Sequence, residues 1–157
     1  MELFKINESF WSIRKNHNVI VYELNSVRFP FGLEQSFNHY LLKIEITPEI
    51  EAEIIQLEQE ILEITKQTLD NPELQIKSQI QYGKRDYPNL LISKIYMKKK
   101  QIITSVNYDQ TSTETNHLTI FDIGSSAQNI NLFIDNLFIR NNKIYYKWKI
   151  STLRINK

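Results

Sequence analysis

The stretch Lys143-Ile144-Tyr145-Tyr146-Lys147-Trp148-Lys149-Ile150 decides the fold. Successive side chains on a strand point to opposite faces. Ile144, Tyr146, Trp148 and Ile150 therefore share one side, and Lys143, Tyr145, Lys147 and Lys149 share the other. An apolar face backed by a basic one marks a half-buried strand, expected here to run unbroken over residues 143–155. Residues 131–139 carry a second strand pattern. Between the two, Arg140-Asn141-Asn142 reads as a tight hairpin turn, because asparagine tolerates the positive φ that such turns require.

Further upstream the β pattern recurs. Residues 18–24 are rich in β-branched side chains, and residues 39–46 alternate Tyr40, Leu42, Ile44 and Ile46 against Leu41, Lys43 and Glu45. Residues 74–82, 87–96 and 102–108 read as further strands, the last two joined by a Lys98-Lys99-Lys100 turn. Pro30 and Gly32 place another turn within residues 27–33. Residues 109–116 read as a polar loop, 118–123 as a strand, and Ser125-Ser126-Ala127-Gln128 as the start of a short helical turn.

One helix interrupts these strands. Thr47-Pro48-Glu49 supplies an N-cap, a proline at the first helical position and an acid in the first turn. Ile50, Ile54, Leu57, Ile61, Ile64 and Thr68 recur at helical spacing, and Asp70-Asn71-Pro72 ends the pattern. The other faces carry Glu49, Glu51, Glu53, Glu58, Glu60 and Glu63. The expected fold class is mainly β (α+β). Residues 1–157 form one OB-like domain, a partly open antiparallel β-barrel of about five to eight strands, with the acidic helix 48–68 inserted; closure is the usual way to hide strand edges.

Composition removes several kinds of chemistry. Cysteine is absent from the 157 residues, which excludes disulfides, thiolate zinc sites and cysteine nucleophiles and fits an intracellular, reducing compartment. No apolar run approaches the length of a membrane span, so no membrane association is expected. Gly32, Gly83 and Gly124 stand isolated, whereas phosphate-cradling loops need clustered glycines. His17, His39 and His117 have no metal-spaced companions, and Asp109, Asp122 and Asp135 fall in separate segments. The expectation is therefore a non-enzymatic protein with no metal and no cofactor; a nuclease or hydrolase built on scattered carboxylates is the enzymatic alternative.

Charge is divided unevenly along the chain. Residues 1–83 hold 7 Lys/Arg against 13 Asp/Glu, and residues 84–157 hold 12 against 5. Such a basic half points to a polyanionic partner. Single strands are held by a positive groove along their backbone and by aromatic rings under their bases. Lys94, Lys98, Lys99, Lys100, Arg140, Lys143, Lys147 and Lys149 supply the cations, and Tyr96, Tyr108, Phe138, Tyr145, Tyr146 and Trp148 the rings. Alternation assigns Tyr145 to the lysine face and Tyr146 and Trp148 to the core. The candidate nucleic-acid-binding set is Lys94, Tyr96, Lys98, Lys100, Arg140, Lys143, Tyr145, Lys147 and Lys149.

The layout of Phe29-Pro30-Phe31-Gly32, the acidic helix, Tyr87-Pro88 and the closing hairpin from Leu137 to Trp148 resembles the OB-fold single-stranded DNA-binding proteins of large nucleocytoplasmic DNA viruses. The likeness covers the chain from about Val19 onward, although the chain ends Leu153-Arg154-Ile155-Asn156-Lys157 rather than in an acidic tail. It implies a viral protein of DNA replication or repair, in host cytoplasm or nucleus, coating single-stranded DNA (or RNA) from its barrel strands. The rival reading is a structural or assembly protein, such as a minor virion component. In that reading the acidic helix meets the basic surface of a second copy and builds a homo-oligomer.

Overall fold

The computed structural model describes residues 1–108 and 118–155. The polar loop expected at 109–116, together with Asp109 and His117, lies outside the described residues. The chain opens with β1 (Glu2–Lys5), β2 (Phe10–Arg14), β3 (Ile20–Arg28), β4 (Leu33–Ser36) and β5 (His39–Ile46). The helix α1 (Pro48–Leu69) follows, then β6 (Gln75–Ile76), β7 (Ile80–Gln81) and β8 (Asn89–Ile95). A short hairpin of β9 (Met97–Lys98) and β10 (Gln101–Ile102) leads to β11 (Ser105–Tyr108). After a 3₁₀ turn at Ile120–Asp122 come β12 (Ser126–Ile134), β13 (Asn136–Arg140), β14 (Lys143–Tyr146) and β15 (Trp148–Ile155).

The architecture is a mixed α+β fold with open sheets and no closed barrel. One sheet runs β1-β2-β13-β14-β6, and the larger runs β3-β12-β15-β8-β5-β4, with β11 beside β15 and β7 beside β8. Among the described residues β3 pairs only with β12 and β4 only with β5, so the two edges of the larger sheet do not meet. The pairing is also not wholly antiparallel, since β8 and β11 both run parallel to β15, and β6 to β14. The OB-like barrel is corrected on both counts.

The long C-terminal ribbon explains why closure fails. Neither of its arms is a single strand, contrary to expectation for 131–139 and 143–155. Asp135 divides β12 from β13, and Lys147 divides β14 from β15, so one half of the ribbon belongs to each sheet. Strands that switch sheets do so at bends or bulges. The bend here is secured at Asp135, whose backbone oxygen accepts from Ile13 N (3.0 Å) and Arg14 Nη1 (2.9 Å). Its carboxylate receives Lys149 Nζ at 3.0 Å. At the hairpin tip Asn141 and Asn142 both take left-handed φ (53° and 60°), as the tandem asparagines predict.

Other local expectations fare unevenly. Residues 39–46 form β5 as read, with Leu42, Ile44 and Ile46 buried. Residues 118–123 hold a 3₁₀ turn instead of a strand, because the Thr119 hydroxyl accepts from Phe121 N while Asp122 Oδ2 accepts from Thr119 N, a reciprocal cap. Ser126, Ala127 and Gln128 begin β12 and no helical turn. The weak pattern of 74–82 resolves into two two-residue strands in different sheets. The N-terminal pair β1 and β2 has no counterpart among the sequence expectations.

The helix begins and ends where its caps direct. Thr47 Oγ1 accepts from Ile50 N (3.3 Å), Pro48 opens the first turn, and Asp70 turns left-handed at φ 49°. Its buried line is Ile54, Glu58, Ile61 and Thr65, rotated from the expected stripe so that Thr68 faces outward. Glu58 is the cause. Its carboxylate is buried, taking Tyr146 Oη at 2.6 Å, Ser78 Oγ at 3.0 Å and Gln79 N at 3.3 Å. Tyr22 donates to Glu53, Asn89 Nδ2 to Glu51 (2.9 Å), and Lys15 pairs with Glu60 at 3.9 Å. Strands from both sheets thus hold the helix through its glutamates as well as its apolar side chains. One hydrophobic cluster, with Trp148, Leu91, Ile54 and Ile13 fully buried, joins the helix to both sheets.

Candidate functional site

The two bends that break the barrel also gather the cations. On β8, Ser93 and Ile95 point inward, which turns Lys94 outward, and Tyr96, half-buried, follows the strand. On β15 the buried Trp148 and Ile150 leave Lys149 on the outer side, and the parallel register sets Lys149 directly beside Lys94. Lys147, at the joint of β14 and β15, completes a group of three ammonium ions with His39 at the start of β5. Like charges facing each other across neighbouring strands are destabilising. Lys149 has Asp135 to offset its charge, but Lys94 and Lys147 have no acid partner among the described residues.

The electrostatics record this crowding. Burial first, then the neighbouring Lys147 and Lys149, push the Lys94 ammonium down to about 8. The positive charge of Lys94, followed by desolvation and Lys147, holds the His39 imidazole below its usual range. The site is electropositive and short of counter-charge.

Two clefts flank the lysine group. One, of about 520 Å³, lies between the β4–β5 hairpin tip and Tyr96, and is lined by Phe37, His39, Tyr40, Lys94, Lys100 and Lys149. Phe37 sits at that tip with φ 54° and is 94% exposed. The other cleft, of about 680 Å³, is lined by Phe10, Phe138, Arg140, Tyr145, Lys147 and again Lys94 and Lys149. Here three rings form a row across the smaller sheet. Phe138 is the register partner of both Phe10 and Tyr145, and the ring centroids are 5.0 Å and 6.0 Å apart. Phe10 (42% exposed) and Tyr145 (37%) present ring surface to solvent.

Seven of the nine sequence-derived residues line these clefts: Lys94, Tyr96, Lys100, Arg140, Tyr145, Lys147 and Lys149. Lys98 joins through Tyr96, its Nζ lying 5.8 Å from that ring's centroid. Lys143 shares the outer face of β14 with Tyr145 but lines neither cleft. Tyr96 is less free than its sequence position implies, because Lys149 Nζ lies 5.3 Å from its ring centroid and Phe133 packs at 5.1 Å. Tyr146 and Trp148 are core residues, as the alternation requires.

The additions are Phe10, Phe37 and His39, together with Phe138, which sequence reasoning named among the rings but left out of the binding set. Its place there was within reach: a two-residue Asn141-Asn142 turn pairs Arg140 with Lys143 and therefore Phe138 with Tyr145. Phe10 carries a fainter signal, the alternation of Phe10, Ser12 and Arg14 against Trp11 and Ile13.

Acidic groups take structural roles. Asp122 caps the 3₁₀ turn, Asp135 holds the ribbon bend, and no three His, Asp or Glu converge among the described residues. Among the described residues no helix is long and apolar enough to cross a membrane. Comparison with known proteins finds no matching family model, no matching curated protein and no matching solved structure. With no closed barrel and no such match, the resemblance to viral OB-fold single-stranded DNA-binding proteins is withdrawn.

Proposed function

We propose that this chain is a non-enzymatic protein that binds single-stranded nucleic acid, DNA or RNA, across the outer face of the C-terminal ribbon. The observation that carries this reading is the row of Phe10, Phe138 and Tyr145 across the strands, flanked along them by the pair of Arg140 and Lys143 on one side and Lys147 on the other. Each base stacked on an aromatic ring contributes ~1–3 kcal/mol, and every base has a face to stack, so binding tolerates sequence. A duplex hides those faces and is disfavoured. Lysines lying over Tyr96 in the free protein move to phosphates when a strand arrives and release that ring.

The test is fluorescence anisotropy of a labelled oligo-dT of about 30 nucleotides, at low and moderate salt, with duplex as competitor. Tight binding that weakens steeply with salt and resists duplex competition is expected, since phosphate contacts release counterions. Absence of binding at low salt refutes the reading. Salt-sensitive self-association in that case returns the assembly role, although Glu51, Glu53, Glu58 and Glu60 already have partners within the chain.

A further inference from the structure

Between the two clefts a smaller recess opens, of about 130 Å³. Its polar lining is Ser36, His39, Gln79, Ser93, Lys94 and Lys147, and Leu41, Ile92 and Trp148 complete it. No carboxylate lines it. The volume is well under the roughly 300 Å³ at which sites for organic ligands begin, and suits an ion-sized group.

We infer that this recess is a seat for a doubly charged phosphate group, supplied by the terminal phosphate monoester of a strand or by free inorganic phosphate. Lys94 and Lys147 line the recess and bring two positive charges, while Lys149, just outside it, is offset by Asp135. The surplus of two matches a phosphate monoester near neutral pH, which carries about −1.5 to −2, and exceeds the single charge of an internal phosphodiester. Oxyanions need several donors. Among the lining residues Lys94 and Lys147 carry ammonium donors, and Ser36 and Gln79 carry a hydroxyl and an amide that can also donate. Ser93 is already committed, its hydroxyl donating to Leu42 O at 2.7 Å.

The electrostatics of the recess support the same conclusion. Lys94 is half-buried beside Lys147 and Lys149, with His39 facing it from β5 and Asp135 engaged elsewhere, and its ammonium is held down to about 8. A dianion at this point neutralises Lys94 and Lys147 together. The seat adjoins both aromatic clefts, so a strand whose last phosphate is anchored here has its terminal base within reach of the rings. The seat itself stands apart from the strand-binding proposal; only a strand terminus as its natural occupant rests on that reading.

The experiment follows the Lys94 side chain by NMR, titrating pH in chloride and in sodium phosphate at matched ionic strength, for the parent and for Lys147→Gln. Lys147 is exposed, so the variant keeps the fold. In chloride the parent Lys94 is expected to titrate near pH 8; phosphate should raise that midpoint saturably by about one unit. Lys147→Gln should raise the midpoint unaided and lose the response to phosphate. A midpoint that ignores saturating phosphate, or moves equally in the variant, overturns the seat. A parallel arm compares short oligo-dT ending in phosphate with the same strand ending in hydroxyl. About tenfold tighter binding of the phosphorylated strand assigns the seat to strand ends. Equal binding, with Lys94 still responding to inorganic phosphate, assigns it to the free ion. If phosphate moves Lys94 and no oligonucleotide binds, the strand reading fails and the seat stands; if oligonucleotide binds and phosphate does nothing, the reverse holds.

Discussion

Replacing Lys147 by Glu should weaken nucleic-acid binding and stabilise the protein at once. Most surface substitutions that remove binding are neutral or harmful to stability. Lys147 differs because its charge is uncompensated: it has no acid partner among the described residues and it depresses Lys94. Reversing it exchanges a repulsion for an attraction. For an exposed, screened pair that is worth about 0.5–1 kcal/mol, or roughly 1–4 °C in Tm for a chain of this size. On the binding side, each phosphate neutralised contributes about 0.7 to the salt slope for single strands. Losing one cation and adding one anion should cut the slope by about 0.7–1.4 and affinity by about tenfold at moderate salt. Anisotropy over a salt series and thermal unfolding of the same samples read both quantities. Unchanged affinity and slope would refute the placement of the strand, and a Tm lowered by several degrees would refute the electrostatics. Lys149 is unsuitable for this test, because Lys149→Glu would set a second carboxylate against Asp135 at the ribbon bend.

Phe10→Ala and Phe138→Ala should each weaken oligo-dT binding by about 1–3 kcal/mol with little change in salt slope, since they remove stacking and leave phosphate contacts intact; a changed slope would argue against a stacking role. Tyr146→Phe deletes the 2.6 Å bond to the buried Glu58 carboxylate and should cost about 1.5–3 kcal/mol in urea denaturation; a loss below ~0.5 kcal/mol would remove this bond from the helix anchor. Stability should rise with pH from about 8 toward 10, because folded Lys94 has released a proton that the unfolded chain still holds. Above about 10 it should fall, since Tyr22 and Tyr146, raised chiefly by burial and then by Glu53 and Glu58, stay protonated only when folded. Urea titrations across that range check both limbs, and Lys147→Gln should flatten the lower one.

Much of the local structure was legible because its causes are local. The Thr47 cap, Pro48 and the Asp70 stop place the helix to within a residue, since each acts on neighbouring backbone groups. The faces of β14 and of β15 as far as Ile150 follow from alternation, which the break at Lys147 leaves undisturbed; beyond Ile150 a bulge shifts the phase, so that Leu153 and Ile155 are buried. The rotation of the helix toward Glu58 was hidden for a different reason. A glutamate becomes a core residue only when Tyr146, Ser78 and Gln79, from distant parts of the chain, arrive to satisfy it.

The candidate site divides along the same line. Residue type and alternation alone determined that a basic, tyrosine-bearing face exists and that Tyr145 lies on it while Tyr146 and Trp148 lie beneath. Only the tertiary structure decided that Phe10 extends the row through Phe138, that Lys94 stands beside Lys149 in a parallel pair, and that Asp135 compensates one lysine of three. Alternation follows from the stereochemistry of each residue and its neighbours, whereas register between remote strands is settled by which apolar faces fit together over the whole core.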